Sequence, residues 1–273
     1  MAGRLFLVAT PIGNLADLSD RARQTLDQAA FVVCEDTRHS QGLLEHFGLR
    51  KERVSLPAFA EGGRAGAILD RVSAGEDAAL VTDAGTPGIS DPGEVLVVEA
   101  LARGLEVIPI PGPSALVTAL SGSGLPTGRF HFLGFLPRKG PDRRAMLEEV
   151  SGLSATLVLY EAPPRLHDTL GELAAALGPR RACVARELTK LHEEWTRGTL
   201  PELVERFADR EVKGELVLVV EGRTGSVRWT QDEVRQALRR GLEAGERLKA
   251  LSTEVARQAG WSGQDVYRLG LSL

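Results

Sequence analysis

One stretch of the chain, residues 80–93 (LVTDAGTPGISDPG), restricts the fold more than any other. The apolar run Ala78–Val81 predicts a short buried strand, and residues 83–93 then supply three glycines, two prolines and two carboxylates. Glycines let a backbone approach a ligand closely, and prolines hold the shape of a loop. An ordinary strand–helix connector runs about 2–6 residues, which is shorter than this loop. Because loops at the carboxyl ends of strands bind ligands in α/β proteins, we predict a ligand-binding loop here.

The pattern around this loop predicts an α/β protein. Apolar strand patterns alternate with helical ones up to residue 121, which is typical of a mostly parallel sheet. Glycines and prolines punctuate residues 122–135, and the alternation resumes in 136–222. Residues 225–273 contain helical patterns alone. We therefore predict two α/β domains (1–121 and 136–222) with a cofactor cleft between them, a crossover linker at 122–135, and a small all-helical C-terminal appendage at 225–273.

Composition and standard motifs exclude several classes of protein. The formal net charge is −4, so a nucleic-acid partner would need a local basic patch. Cys34 and Cys183 lie alone in apolar runs, which favours buried thiols in a reducing compartment over a disulfide or a metal site. The apolar runs fall short of the roughly 20 residues that span a bilayer, and a charged-then-apolar leader is absent, so we expect a cytoplasmic protein. Walker, nucleophile-elbow and Cys/His metal motifs are likewise absent, and no metal site is predicted.

Several segments in order across residues 5–222 resemble the tetrapyrrole methylase superfamily, and within it the branch that acts on small-subunit ribosomal RNA. They are LFLVATPIGNLADLSDRA, CEDTRHS, LVTDAGTPGISDPG, PIPGPSALVTALSGSGLP, FLGFLPRKG, LYEAPPRL, ARELTKLHEE and KGELVLVVEG. The resemblance implies a homodimer that holds S-adenosyl-L-methionine in the inter-domain cleft. It also implies methylation of the ribose 2′-hydroxyl of a cytidine in the decoding region, with 16S rRNA or the small ribosomal subunit as substrate. One departure is the segment SLPAFAE at 55–61, where members of this branch carry a His-rich stretch.

The resemblance assigns methyl-donor contacts to loop residues of both predicted domains. From the first domain these are Pro11, Asp83, Gly85, Thr86, Ile89, Ser90, Ser114 and Ala115. From the second they are Tyr160 and Ala185, with backbone around Gly214 and Val219. For Tyr160 and Ala185, plain core packing is an equal alternative.

Polar residues at two further strand ends are candidates for catalysis. They are Glu35, Asp36, Arg38 and His39 after the second predicted strand, and Glu187 and Lys190 later in the chain. Glu35, Glu187 and Lys190 are candidate bases, whereas Asp36 is as well explained by capping of the following helix. The densest basic cluster, predicted to contact RNA phosphates, is Arg138, Lys139, Arg143 and Arg144. The alternative for that cluster, which we favour less, is a solvated helix start.

Two other functions remain open from the sequence. The chain could be a relative that methylates a small tetrapyrrole or a protein side chain, or a non-catalytic RNA-binding assembly factor that retains the fold. The basic cluster and the helical tail favour RNA over a small substrate. Binding of S-adenosyl-L-methionine would separate an enzyme from a scaffold.

Overall fold

The computed structural model describes residues 1–57, 61–224 and 229–273. Their contacts group them into two compact units, Met1–Gly222 and Arg223–Leu273. Part of the segment that departs from the His-rich pattern, residues 58–60, lies outside the described residues, as do residues 225–228 of the predicted tail.

The first half of the larger unit is a parallel sheet with strands in the order β3-β2-β4-β1-β5. Successive strand residues pack into different apolar layers, for example Leu80 on one face and Ala79 on the other. Such two-sided burial explains why these strands read as continuous apolar runs. The strands are β1 Arg4–Val8, β2 Phe31–Cys34, β3 Glu52–Ser55, β4 Ala78–Leu80 and β5 Glu106–Ile110, with helices α1 Asp20–Gln28, α2 Thr37–His46, α3 Glu61–Ser73, α4 Glu94–Ala102 and α5 Ala115–Gly122.

The second half is a mixed sheet with strands in the order β6-β7-β10-β8-β9. The β6–β7 pair is parallel, and the remaining pairs are antiparallel. The strands are β6 Phe130–Phe135, β7 Thr156–Glu161, β8 Arg181–Arg186, β9 Glu194–Thr199 and β10 Leu216–Val220, with helices α6 Pro141–Ser151, α7 Leu166–Leu177 and α8 Leu200–Phe207. The predicted α/β class with two sheets is confirmed.

Two edge strands of the second sheet differ from the sequence-based expectation. Strand β6 lies within residues predicted as a crossover, and β9 was not predicted as a strand. Both are edge strands whose residues are half-exposed or exposed. Their sequences contain polar residues or glycine and therefore lack the continuous apolar run that marks a buried strand. The division of Met1–Gly222 into two domains at 121 and 136 stays a prediction.

The smaller unit is a helical bundle, as predicted for the tail. Helices α9 Gln231–Glu243, α10 Leu248–Ala259 and α11 Gly263–Gly270 enclose an apolar core that includes Val234, Leu251 and Val266. The Trp261 indole Nε1 donates to the Trp229 carbonyl at 2.7 Å, which joins the start of the unit to the turn before α11. A capping box of Thr230 and Glu233 begins α9.

Both cysteine thiols are free and buried, in keeping with their predicted packing role. Among the described residues, none of the helices is long and apolar enough to cross a membrane.

Arg143 corrects the prediction made for the basic cluster. Its side chain is 5% exposed, and its guanidinium pairs with Glu172. Arg143 Nη1 donates to the Pro137 carbonyl at 2.9 Å, and Nη2 donates to Thr169 Oγ1 at 2.8 Å. Thr169 in turn donates to buried Glu161 at 2.6 Å. Because each guanidinium nitrogen is already engaged inside the protein, Arg143 is a structural residue and not a phosphate contact.

We predict that R143A and R144A differ sharply in stability. R143A leaves the Pro137 carbonyl and Thr169 without their partner, so we expect the free energy of unfolding to fall by about 2–4 kcal/mol. The adjacent Arg144 is exposed, and R144A should change it by no more than about 0.5 kcal/mol. Denaturant titration of the two variants measures the difference, and equal stabilities would show that the network contributes nothing.

Candidate active site

Two loops of the first sheet are joined by an isolated β-bridge between Thr10 and Gly85. The Thr10 amide donates to the Gly85 carbonyl at 2.8 Å, and the Gly85 amide donates back to Thr10 at 3.0 Å. Gly85 has a φ of +84°, a conformation that favours glycine. The loops follow β1 and β4, which are neighbours in the sheet, so the bridge forms at the carboxyl edge of both strands.

A third loop, between β5 and α5, packs against the first two. Thr86 Oγ1 donates to the Pro113 carbonyl at 3.1 Å, which connects the β4 loop to the β5 loop. Ser114 is the N-cap of α5 and makes no side-chain capping hydrogen bond. The Leu116 amide is hydrogen-bonded to Tyr160, and the other amides of the first turn of α5 remain available to an anionic group of a ligand.

A cavity of about 370 Å³ lies where these loops meet the second sheet, and we call it the interloop cavity. This volume is within the range of about 300–1,000 Å³ that is usual for small-molecule sites. Its walls come from the loops after β1, β4 and β5 and from β6, β7 and β10. They are Ile12, Ala84, Gly85, Thr86, Ile89, Ser90, Asp91, Ser114, Ala115, Phe135, Tyr160, Glu161, Ala162, Pro163, Gly214, Glu215, Leu216 and Val217.

Most of the predicted donor contacts line this cavity, and four do not. One of the four, Val219, is fully buried in an apolar cluster. Pro11 is buried beside the lining residue Ile12. Ala185 is fully buried in an apolar cluster, which supports the packing alternative for that residue. Asp83 lies outside the lining, and its Oδ1 is buried without a hydrogen-bond partner among the described residues. Those that line it are Gly85, Thr86, Ile89, Ser90, Ser114, Ala115 and Tyr160, together with the backbone of Gly214.

Tyr160 is part of the cavity wall and not merely of the core. Burial raises the pKa of its phenol, an effect that a backbone hydrogen bond with Leu116 partly offsets. Because Leu116 lies in the first turn of α5, this contact fixes the second sheet against the helix start that faces the cavity.

Three carboxylates gather at the carboxyl edge of the first sheet: Glu35 after β2, and Asp83 and Asp91 after β4. Burial, followed by the negative charges of Glu35 and Asp83, raises the pKa of Asp91 to about 6. Burial and the charges of Asp83 and Asp36 also raise the pKa of Glu35. Of the three, Asp91 lines the cavity. A carboxyl group that titrates near neutral pH inside a cavity is suited to accept a proton.

The polar residues after β2 have a different role from Asp91. Asp36 caps α2 by accepting from the Arg38 amide at 2.8 Å, and it also pairs with the Arg38 guanidinium at 2.8 Å. Hydrogen bonds from the Arg38 side chain and backbone lower the pKa of Asp36 to about 2, which makes it a poor base. Arg38 and His39 are exposed and do not line the cavity. The capping interpretation therefore describes Asp36.

Lys190 and Glu187 form an ion pair beside the cavity. Lys190 Nζ lies 2.9 Å from Glu187 Oε1 and 3.1 Å from Glu215 Oε2. Burial lowers the pKa of Lys190, but hydrogen bonds to Glu187 and Glu215 outweigh it and leave the pKa raised. Burial raises the pKa of Glu187, yet Lys190 and the Glu215 amide leave it lowered. The ion pair thus favours a protonated Lys190 and an ionised Glu187, and their role as candidate bases stays a prediction.

The remaining predicted RNA contacts, Arg138, Lys139 and Arg144, are exposed around the turn between β6 and α6. The turn begins directly after Phe135, which lines the cavity. Their role in binding phosphates stays a prediction.

Comparison with known proteins identifies the family. The model for Tetrapyrrole (Corrin/Porphyrin) Methylases matches residues 4–204. The chain is 44% identical over 272 residues to Ribosomal RNA small subunit methyltransferase I of Halalkalibacterium halodurans, covering 98% of this chain and 94% of that one. The protein of the same name from Synechocystis is 43% identical over 274 residues, covering 99% and 98%.

The chain belongs to the tetrapyrrole methylase family. A solved structure with the same fold is the uroporphyrin-III C-methyltransferase of Thermus thermophilus complexed with S-adenosyl homocysteine. It has a TM-score of 0.58 and 21% identity, and the match covers 80% of this chain and 97% of that one. Tetrapyrrole methylases are S-adenosyl-L-methionine-dependent methyltransferases.

Asp91 and Phe135 are among the lining residues of this tetrapyrrole methylase that were not singled out from the sequence. Asp91 stands in the β4 loop that the sequence identified, but its raised pKa comes from burial and from the charges of Glu35 and Asp83, and Glu35 is distant along the chain. Phe135 lies in the apolar patch that was assigned to the crossover. The sequence signal for Asp91 is a second carboxylate in a predicted ligand-binding loop. The signal for Phe135 is an aromatic residue beside a basic cluster.

We predict that Gly13 is needed to hold Lys190 in place. A Cβ atom at Gly13 would overlap Lys190 Cγ and lie 2.9 Å from its Cε. G13A should therefore displace the lysine and lower the free energy of unfolding by about 1–3 kcal/mol. The matched control is G42A inside α2, where a Cβ has open space and alanine should add about 0.5–1 kcal/mol. Thermal denaturation of both variants gives the sign, and destabilisation by G42A as large as by G13A would argue against a specific contact.

Proposed function

We propose that the chain transfers a methyl group from S-adenosyl-L-methionine to the ribose 2′-hydroxyl of a cytidine in 16S rRNA. We further propose that it acts in the cytoplasm as a homodimer. The observation that carries the proposal is the interloop cavity, in which the special loops of the first sheet meet Tyr160 and Gly214. Near full-length relatives that are named as methyltransferases of small-subunit ribosomal RNA support the choice of substrate.

The residues around the cavity fit the proposed methyl donor. Ile12, Ala84 and Tyr160 provide apolar surface suited to an adenosine. The start of α5, where Ser114 makes no side-chain capping bond, offers first-turn amides other than that of Leu116 to the donor carboxylate.

When bound, the donor supplies an electrophilic methyl group on a sulfonium. The work left to the protein is to orient the ribose hydroxyl in line with that methyl group and to remove its proton. Asp91 is the residue we propose as proton acceptor, since it lines the cavity and its pKa is about 6. Lys190 stays protonated, so its proposed part is to supply positive charge near the reacting oxygen.

The surface charge supports an RNA substrate despite the net charge of −4. Arg138, Lys139 and Arg144 are exposed next to the β6 wall of the cavity, where the RNA backbone would enter. Such contacts supply sequence-independent, salt-sensitive affinity. Base identity has to be read by other residues.

The test is ribose-methylation mapping by reverse transcription of 16S rRNA from unmethylated small subunits after incubation with the chain and donor. We expect one new methylated cytidine in the decoding region. T86R places a bulky cation in the cavity and should abolish donor binding in calorimetry while the fold survives. T127R, at an exposed position outside the cavity, is the matched control and should bind the donor normally. Wild-type donor affinity in T86R, or no new methylation with wild type, would contradict the proposal.

We predict a pH dependence set by Asp91. At saturating substrate, kcat should rise with pH through about 6 and then level off, because the carboxylate form is the base. D91N should lower kcat by roughly 10²- to 10⁴-fold, the usual contribution of a general base. A wild-type profile that is flat between pH 5 and 8 would exclude this role.

The same shift makes a prediction about stability. The folded protein raises the pKa of Asp91 from 3.8 to about 6, so it favours the protonated form, and this favourable contribution is lost as pH rises between those values. D91N, which stays neutral, should therefore stabilise the fold at pH 8 more than at pH 5. Melting temperatures of both proteins at the two pH values measure it.

A further inference from the structure

Phe135 is an exposed aromatic side chain in the wall of the interloop cavity. It is 54% exposed, although large apolar side chains are usually buried. Its ring makes an edge contact with Tyr160 at 5.6 Å between ring centroids. One side of Phe135 therefore belongs to the cavity wall, and the remainder is open to solvent.

A β-bulge places Phe135 on this side of the sheet. In a regular strand, Phe132 and Phe135 would point to opposite faces. Here Phe132 pairs with Val158 and Phe135 pairs with Tyr160, so β6 contains one residue more than β7 over this interval. As a result both rings contact Tyr160, with Phe132 at 5.0 Å between centroids. Bulges commonly re-aim a side chain next to an active site.

The bulge packs closely against the loop after β4. Gly134 has a φ of +60°, and a Cβ atom there would lie 3.3 Å from Ser90 Oγ. Ser90 lines the cavity and itself has a φ of +66°. The strand that presents Phe135 and the loop that carries Asp91 are thus fitted closely to each other.

Two cations follow the aromatic ring on the same segment. Arg138 and Lys139 are exposed, and Leu136 between them and Phe135 is buried. A stacking ring beside cations that reach the backbone is the usual arrangement for unpaired nucleotides. A ring without polar atoms binds the face of a base and does not select its identity.

We infer that Phe135 stacks against the base of the acceptor nucleotide and so positions its ribose hydroxyl at the interloop cavity. The inference rests on the proposed function, since it names the residue that holds the acceptor. The chemical class it recognises is an unpaired nucleobase next to a phosphodiester. The competing occupant of the ring face is the adenine of the donor, and the experiment separates the two.

The experiment measures methylation kinetics on small ribosomal subunits and donor affinity by calorimetry for F135A, F135L and F135W. F135L keeps the apolar volume without the aromatic face. The matched control is F130A, because Phe130 lies in the same strand and is 47% exposed but does not line the cavity. We expect F135A and F135L to raise KM for subunits roughly 5- to 100-fold, the loss of one base–aromatic stack. F135W should retain the wild-type KM, donor Kd should be unchanged in all variants, and F130A should behave as wild type.

Three results would overturn the inference. Wild-type KM in F135L would show that no aromatic face is needed. A rise in donor Kd parallel to the rise in KM would assign the ring to the adenine. An equal loss in F130A would show a general effect on β6. These outcomes presuppose an active wild type, and a wild type that leaves subunits unmethylated refutes the proposed function itself and this inference with it.

Discussion

The site depends on the two backbone hydrogen bonds between Thr10 and Gly85. They join the loops after β1 and β4, which would otherwise leave the sheet independently. The buried hydroxyl of Thr10 strengthens the junction by donating to the Thr82 carbonyl at 3.1 Å. Through these bonds, the loop that carries Thr86 and Asp91 keeps a fixed position relative to the loop on which Lys190 packs. Loops held in this way can meet a ligand without first paying for their own ordering.

The carboxylates around the site are of two kinds: some have a cation beside them, and others lie beside further carboxylates. Asp36 and Glu187 each have a cation beside them, Arg38 and Lys190, and their pKa values are lowered. Asp91 shares its surroundings with other carboxylates, and its pKa is raised. Burial is the largest cause of the raised pKa of Asp91, and the parallel sheet contributes because it brings the ends of β2 and β4, and so Glu35, to one edge. Environments that drive carboxyl pKa values apart are typical of acid–base sites. Such sites also typically lower the stability of the fold.

Much of the fold could be predicted from the sequence, and so could the loops of the site, because glycine, proline and capping residues act locally. The apolar run of β2 is visible in the sequence, and Thr199 and Glu202 have the spacing of the capping box that precedes α8. Arg143 and Arg144 could not be told apart, since only packing against α7 decides which of the two is buried. The pKa of Asp91 and the pairing of β6 depend on residues far along the chain, which no local pattern reports.

The proposed donor-binding and acceptor-binding parts of the site therefore differ in how they are encoded. The donor loops rely on backbone conformations that few residue types adopt, as at Gly85, so a sequence reveals them directly. The placement of Phe135 relies on a single extra residue in β6, and a shift of one residue in a strand turns side chains to the other face. A deletion there would remove the aromatic ring from the cavity and leave the Thr10–Gly85 bridge intact. The same donor-binding frame can thus be combined with different acceptor surfaces, which is how one fold comes to serve different substrates.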